Sequence, residues 1–249
     1  EDMRRRDLLR LAPALFLAPR ALAMGEASKL DIVQLGLGGG VVSRPGAWTR
    51  LLYEVQVTTS IETSSRVPTL SPGDPDLFQH PFAVLTGNGA LDRLEESDLE
   101  QLRRYITYGG FLFIDDTTGQ EESAMDRSAR NLVARLFPTR ALAPLPSDHS
   151  VYRTFFLLRR PVGRVSTHPW LEGVSFGETT RIIYCRNDLS GALVRGPDGR
   201  DLYPVTPGGE RQRNEAVKLG INLILYALTS NYKKDQAHVR QLMLEGRLE

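Results

Sequence analysis

Two aspartates in a row close the apolar run of "YITYGGFLFIDD", residues 105–116. Adjacent carboxylates at the end of a buried strand suit one of two chemistries. Either Asp115 and Asp116 bind a metal or sugar hydroxyls beyond the sheet, or their oxygens cap amides of the turn that follows. If both residues continue the strand, their side chains face opposite sides. They then form no two-carboxylate dyad of the glycosidase kind; a turn at Asp115 would bring them together.

Other residue types could join them. "SDHSVY" sets Asp148 beside His149, and with Asp116 these offer an oxygen-and-nitrogen metal site. No His-x-x-His or Cys-x-x-Cys spacing demands one. "TGNG" places Gly87, Asn88 and Gly89 after an apolar run, where glycine lets a backbone approach a ligand or simply turn tightly. "GLGGG" at residues 36–40 has the same two readings. It could face an anion at a helix start, but it lacks G-x-G-x-x-G spacing and a matching acid. "CRNDLSG" follows another strand end. Its Arg186 and Asp188 either pair, reach a cleft or build a turn.

Nucleophilic chemistry has little to work with. Thr117 has no neighbouring base in sequence. The sole cysteine, Cys185, ends "RIIYC" without flanking glycines, and reads as a small buried apolar residue. A lone cysteine also forbids an internal disulfide. His168 reads as a loop residue, and His80 and His238 as structural or exposed. The ligand-binding candidates are therefore Gly87, Asn88, Asp115, Asp116, Asp148, His149, Arg186 and Asp188. No catalytic residue, metal or cofactor is assigned.

These residues need elements to position them. Residues 30–137 alternate strand and helix patterns: "KLDIVQL", a helix from "PGAWTRLLYEVQ", a β-branched strand "VTTSIET", a proline-marked loop, "PFAVLTG", the helix "EESDLEQLRRYITYGG", "FLFID" and the helix "SAMDRSARNLVARLF". Such alternation predicts a mostly parallel sheet with helices on both faces. Ligands of such sheets bind beyond the carboxyl ends of the strands, at the switch point. Farther on, residues 141–158 carry turn signals and one extended piece, and "RIIYC" is a strand. "ALVRGPDGRDLYPV" is a hairpin or loop, and Asn214–Thr229 is a nearly all-apolar helix expected to be buried on most sides. The charged stretch after it reads as a surface tail.

The chain has 249 residues, with 31 Lys+Arg against 30 Asp+Glu. That balance argues against a broad basic face for nucleic acid. Hydrophobic residues make up 41%, too many for a disordered chain. The opening "RRRDLLR", then "LAPALFLAP", then "ALA" at 21–23 resembles a twin-arginine export signal with Arg5 and Arg6 as the pair. Its apolar run is too short to span a bilayer. The expected organisation is a leader over residues 1–23, one α/β domain over 24–239 and a charged tail over 240–249. The mature protein would be periplasmic and would lack a transmembrane segment.

"LFQHPFAVLTGNG", "YITYGGFLFIDD", "SDHSVY", "IIYCRNDLSG" and "NEAVKLGINLILYALTSNYKKDQAHV" occur in that order. Together they resemble the bacterial family catalogued as domain of unknown function 4159, from about Leu30 to Val239. The resemblance implies a flavodoxin-like, doubly wound fold similar to class I glutamine amidotransferases and trehalose-utilisation-like proteins. It implies no established reaction. The amidotransferase relatives carry a cysteine nucleophile on a sharp turn, which this sequence lacks after "FLFI". Family members often have His where Asn88 stands here, so a proton-transfer role for that His does not carry over. Two functions are expected. The first is a noncatalytic module of the cell envelope binding a small molecule or a partner protein. The alternative is a hydrolase of a carbohydrate or cell-wall compound through Asp115, Asp116, Asp148 and His149. A third use, with the helix Asn214–Thr229 as an assembly interface, is weaker.

Overall fold

The computed structural model describes residues 29–244 apart from 43, with side chains through residue 230. The leader and its arginine pair lie outside that range. Seven strands form one sheet in the order β2-β1-β3-β4-β7-β6-β5. In chain order they are β1 (Val33–Leu35), β2 (Thr69–Leu70), β3 (Phe82–Gly87), β4 (Phe111–Asp116), β5 (Ala143–Pro144), β6 (Glu172–Phe176) and β7 (Thr179–Cys185). The first five in sheet order run parallel, and β6 and β5 continue antiparallel. The helices are α1 (Pro45–Thr59), α2 (Glu96–Thr107), α3 (Ala124–Leu136), α4 (Leu189–Leu193) and α5 (Gly209–Leu244).

Alternation along the strands sorts the core into two layers. Phe82, Val84, Phe111, Phe113 and Ile183 pack with α1, α4 and α5. Ala83, Leu85, Leu112, Ile114 and Ile182 pack with α2 and α3. The mostly parallel sheet with helices on two faces therefore matches the alternating sequence pattern. All six residues of β3 and of β4 are buried, as expected for strands covered on both sides. Aromatic contacts knit the first layer: Trp48 meets Phe113 edge-on at 6.0 Å, and Phe82 stacks on Phe111 at 5.0 Å.

Three elements depart from the sequence reading. "VTT" is not a strand; it is the last turn of α1. The stripe of Trp48, Leu51, Leu52 and Val55 commits the helix to the sheet, and burial outweighs the weak β-propensity of the residues after it. The helix stops at Ser60 in the left-handed region, φ 62°, with its N–H donating to Gln56 O. The second strand instead follows Pro68 inside the expected loop, where Gln34 pairs with Thr69. Strand β6 (Glu172–Phe176) lies in a stretch with no strand signal and pairs with β7. The charged stretch after Thr229 continues as helix, so α5 runs to Leu244.

α5 uses its apolar residues inside the chain. Leu219, Ile221, Leu223, Ile224 and Ala227 are buried in the first layer, so that face is not an open assembly interface. Among the described residues, no helix is long and apolar enough to cross a membrane.

Candidate functional site at the carboxyl edge of the sheet

The pairing of β3 with β4 sets Gly87 beside Asp116 and Thr86 beside Asp115, while β7 sets Cys185 beside Asp115. The strand does not turn at Asp115, so the two carboxylates face opposite layers. Both are fully buried. Asp115 turns to the α4 layer, where its oxygens accept from Leu189 N at 2.9 Å and Ser190 N at 2.8 Å. Asp116 turns to the α3 layer. Its Oδ1 accepts from Thr118 N at 2.8 Å and from Thr118 Oγ1 at 2.6 Å. Its Oδ2 accepts from Ser123 Oγ at 2.6 Å, and Ser123 in turn caps α3 by accepting from Asp126 N at 2.8 Å. Of the two readings of this pair, capping is the one the geometry realises for each residue.

A denser electrostatic cluster lies on the Asp115 side. Asp188 takes a left-handed conformation, φ 54°, uncommon outside glycine and tolerated by aspartate. From there Oδ1 accepts from Gly191 N at 2.9 Å, capping α4, and from Arg44 Nη1 at 2.7 Å. Oδ2 accepts from Arg164 Nε. Arg44 also reaches Ser190 Oγ at 3.4 Å and lies over the Tyr203 ring, 5.1 Å from its centroid. Burial pushes the Asp115 carboxyl up to about 7, with the Asp188 charge adding to it and the Ser190 and Leu189 donors opposing. Burial also raises Asp188, against the pull of Arg44 and Arg164. Asp115 and Asp188 thus share a buried site beneath α4, with the two guanidiniums on Asp188.

Arg186 does not pair with Asp188. It turns to the other layer, donates to Glu121 O and lies 3.4 Å from Asp126 Oδ1. There the Tyr184 hydroxyl sits 3.3 Å from Asp116 Oδ2 and 3.2 Å from Asp126 Oδ1, and its single proton serves one at a time.

Asp148 and His149 are elsewhere. His149 Nδ1 accepts from Val151 N at 3.1 Å, its Nε2 lies 3.0 Å from Thr180 Oγ1, and its ring packs 5.3 Å from Tyr226. Burial lowers its pKa. Thr180 is the second residue of β7, so this histidine stands at the amino edge, roughly 20 Å along the strands from Asp116 by their rise per residue. Asp148 is exposed beside it. The expected grouping of Asp116 with Asp148 and His149 is therefore not formed: β7 delivers His149's partner at its start, not at its end. No group of three His, Cys, Asp or Glu side chains among the described residues is placed to hold a metal ion.

The glycine loops at the switch point are packed on each other. Asn88 N donates to Gly40 O at 2.9 Å, and Val42 N to Thr86 O at 2.8 Å. A Cβ on Gly40 would stand 2.5 Å from Gly89 Cα, and one on Gly39, at φ 56°, 2.5 Å from Ala90 O. Close loop packing, not ligand approach, explains these glycines. Gly87 O accepts from Thr117 N at 2.8 Å and Thr117 Oγ1 at 3.0 Å. Asn88 remains exposed at the edge. Cys185 is buried within its strand, and burial pushes its thiol well up, the opposite of an activated nucleophile.

Gly87, Asn88, Asp115, Asp116, Arg186 and Asp188 thus share the carboxyl edge, split between two layers. Sequence reading missed Arg44, Arg164, Ser123 and Tyr184. The Ser123 cap was legible as a serine opening an amphipathic helix; nothing local marks the two arginines. Two larger hollows lie away from these aspartates. One of about 510 Å³ opens where α5 begins, lined by Arg159, Arg160 and Arg211. Another of about 780 Å³ lies at the amino edge, beside Thr179 and Tyr226.

A family model described as "Domain of unknown function (DUF4159)" matches residues 29–228. None of the curated proteins compared with the chain is significantly similar to it.

Proposed function

The chain belongs to the DUF4159 family, and from that premise we propose that it is an exported, noncatalytic module of the cell envelope that binds a small molecule or a partner protein. The carrying observation is the use of the strand-end carboxylates. Asp115 accepts two backbone amides and Asp116 accepts from Thr118 and Ser123, so the oxygens best placed for chemistry hold the next turns together. The buried, weakly acidic Cys185 adds to this reading.

Further support comes from the sheet. Its parallel portion, β2-β1-β3-β4-β7, follows the 2-1-3-4-5 order of flavodoxin-like, doubly wound sheets. A scaffold akin to class I glutamine amidotransferases is accordingly part of the proposal. Export rests on Arg5, Arg6 and the small residues at 21–23. Fusing residues 1–30 to a reporter tests it. Transport should require a working twin-arginine pathway and should fail when Arg5 and Arg6 are both replaced by lysine.

One observation favours a second reading as a hydrolase. The Asp115–Asp188 pair, with Asp115 pushed up to about 7, has acid–base character. The purified protein, assayed on glycosides and cell-wall fragments, decides between them. We expect no turnover. Turnover abolished by Asp115→Asn or Asp116→Asn in a folded variant would replace the binding module with an enzyme.

A further inference from the structure

The hollow at the start of α5 has a composition that folding alone does not explain. It measures about 510 Å³ and is walled by Arg159, Arg160 and Arg211, with Leu157 and Val162 as its apolar side and Glu215 as its acid. Glu215 is already paired with Lys218 at 2.7 Å. Among the described residues, no hydrogen bond or ion pair engages the three guanidiniums. Like charges lining one hollow repel, and only water and salt screen them. Leu157 is 85% exposed, while the adjacent Leu158 is 5% exposed and anchored in the core. That anchor turns Leu157 outward onto the rim.

The wall is built rather than loose. Leu158 N donates to Tyr152 O at 2.8 Å. Asn222 of α5 accepts from Phe155 N and Phe156 N at 3.2 and 2.8 Å, and donates to Val151 O and Phe156 O at 2.9 and 2.8 Å. On the opposite side, Gln212 ties Gly208 N to the carbonyls of Gly163 and Thr206. Fixed walls reduce the ordering cost of binding. Guanidiniums match the forked geometry of phosphate oxygens, and a dianion offsets most of the charge of the three arginines.

We propose that this hollow binds a phosphomonoester carried on an apolar group. The phosphate lies against Arg159, Arg160 and Arg211, and the apolar group lies against Leu157 and Val162. This names the ligand class of the binding module and rests on that reading. Calorimetric titration of the full chain with octyl phosphate, inorganic phosphate and octanol tests it, with release of phosphate monitored in the same samples. Octyl phosphate should bind saturably and more tightly than either other probe. Arg159→Ala/Arg160→Ala should weaken it by about tenfold or more, the loss expected for charge-assisted hydrogen bonds. Leu157→Ser should weaken octyl phosphate and leave inorganic phosphate unchanged, and Arg66→Ala, on another surface, should change nothing. Equal affinity for inorganic and octyl phosphate, or wild-type binding by the double arginine variant, would each overturn the site. Because Arg66, Leu157, Arg159 and Arg160 are exposed, melting temperatures of these variants should match the wild type. Phosphate release would instead overturn the noncatalytic reading and leave the site standing.

Discussion

Asp115 carries the sharpest consequence at the scale of single residues. Its carboxyl rises from 3.8 to about 7 on burial. Between those values the folded chain holds a proton that the unfolded chain has released. Stability must therefore fall as pH rises from about 4 to about 7 through this group, and level off above it. Asp115→Asn removes that proton, so its melting temperature should show a shallower decline across the window than the wild type. The variant should also be less stable at low pH, because one amide oxygen replaces two acceptors for Leu189 N and Ser190 N. Equal slopes in the two proteins would show that Asp115 keeps an ordinary pKa. The alternation that parts Asp115 from Asp116 was readable from their adjacency; the partners that claimed them were not, since Ser190 lies 75 residues away in sequence.

The elements reveal where local signals lose. α1 runs through β-branched Val57, Thr58 and Thr59 and needs a left-handed stop at Ser60. A side chain in that conformation costs about 1–2 kcal/mol, and glycine does not bear that cost. Ser60→Gly should therefore stabilise the protein by about 0.5–1 kcal/mol in urea unfolding; a loss of stability would mean that the serine is not held at positive φ. The glycine loops after β1 and β3 carry the opposite expectation. A Cβ on Gly40 would stand 2.5 Å from Gly89 Cα, and backbone cannot move aside cheaply. Gly40→Ala should destabilise by about 1–3 kcal/mol, measured by the same unfolding curve. The glycine run was visible in sequence, but whether it met a ligand or a neighbouring loop depended on the β3–α2 connection.

Across the whole molecule, α5 links the two edges of the sheet. It begins beside the arginine-walled hollow and passes Tyr226, whose hydroxyl accepts from Thr180 N at 2.8 Å near the amino edge. Asn222, midway, holds the loop that carries Leu157, Arg159 and Arg160. Asn222→Ala would leave four backbone groups without partners. It should destabilise the fold by about 3 kcal/mol and weaken octyl phosphate binding without touching a ligand-facing residue. Unchanged stability would mean that water replaces those bonds.

Periodicity and alternation by themselves determined the layered sheet, the helices α2 and α3, the buried face of α5 and the burial of β3 and β4. These depend on residues near one another in sequence, each reporting its own burial. Tertiary structure alone decided that β6 and β5 extend the sheet antiparallel, and that Asp188 meets Arg44 and Arg164. It also separated His149 from Asp116, because a side chain's position along a strand, start or end, is set by the register with its neighbours. That register is a property of pairs of distant segments, and no single stretch of the chain contains it.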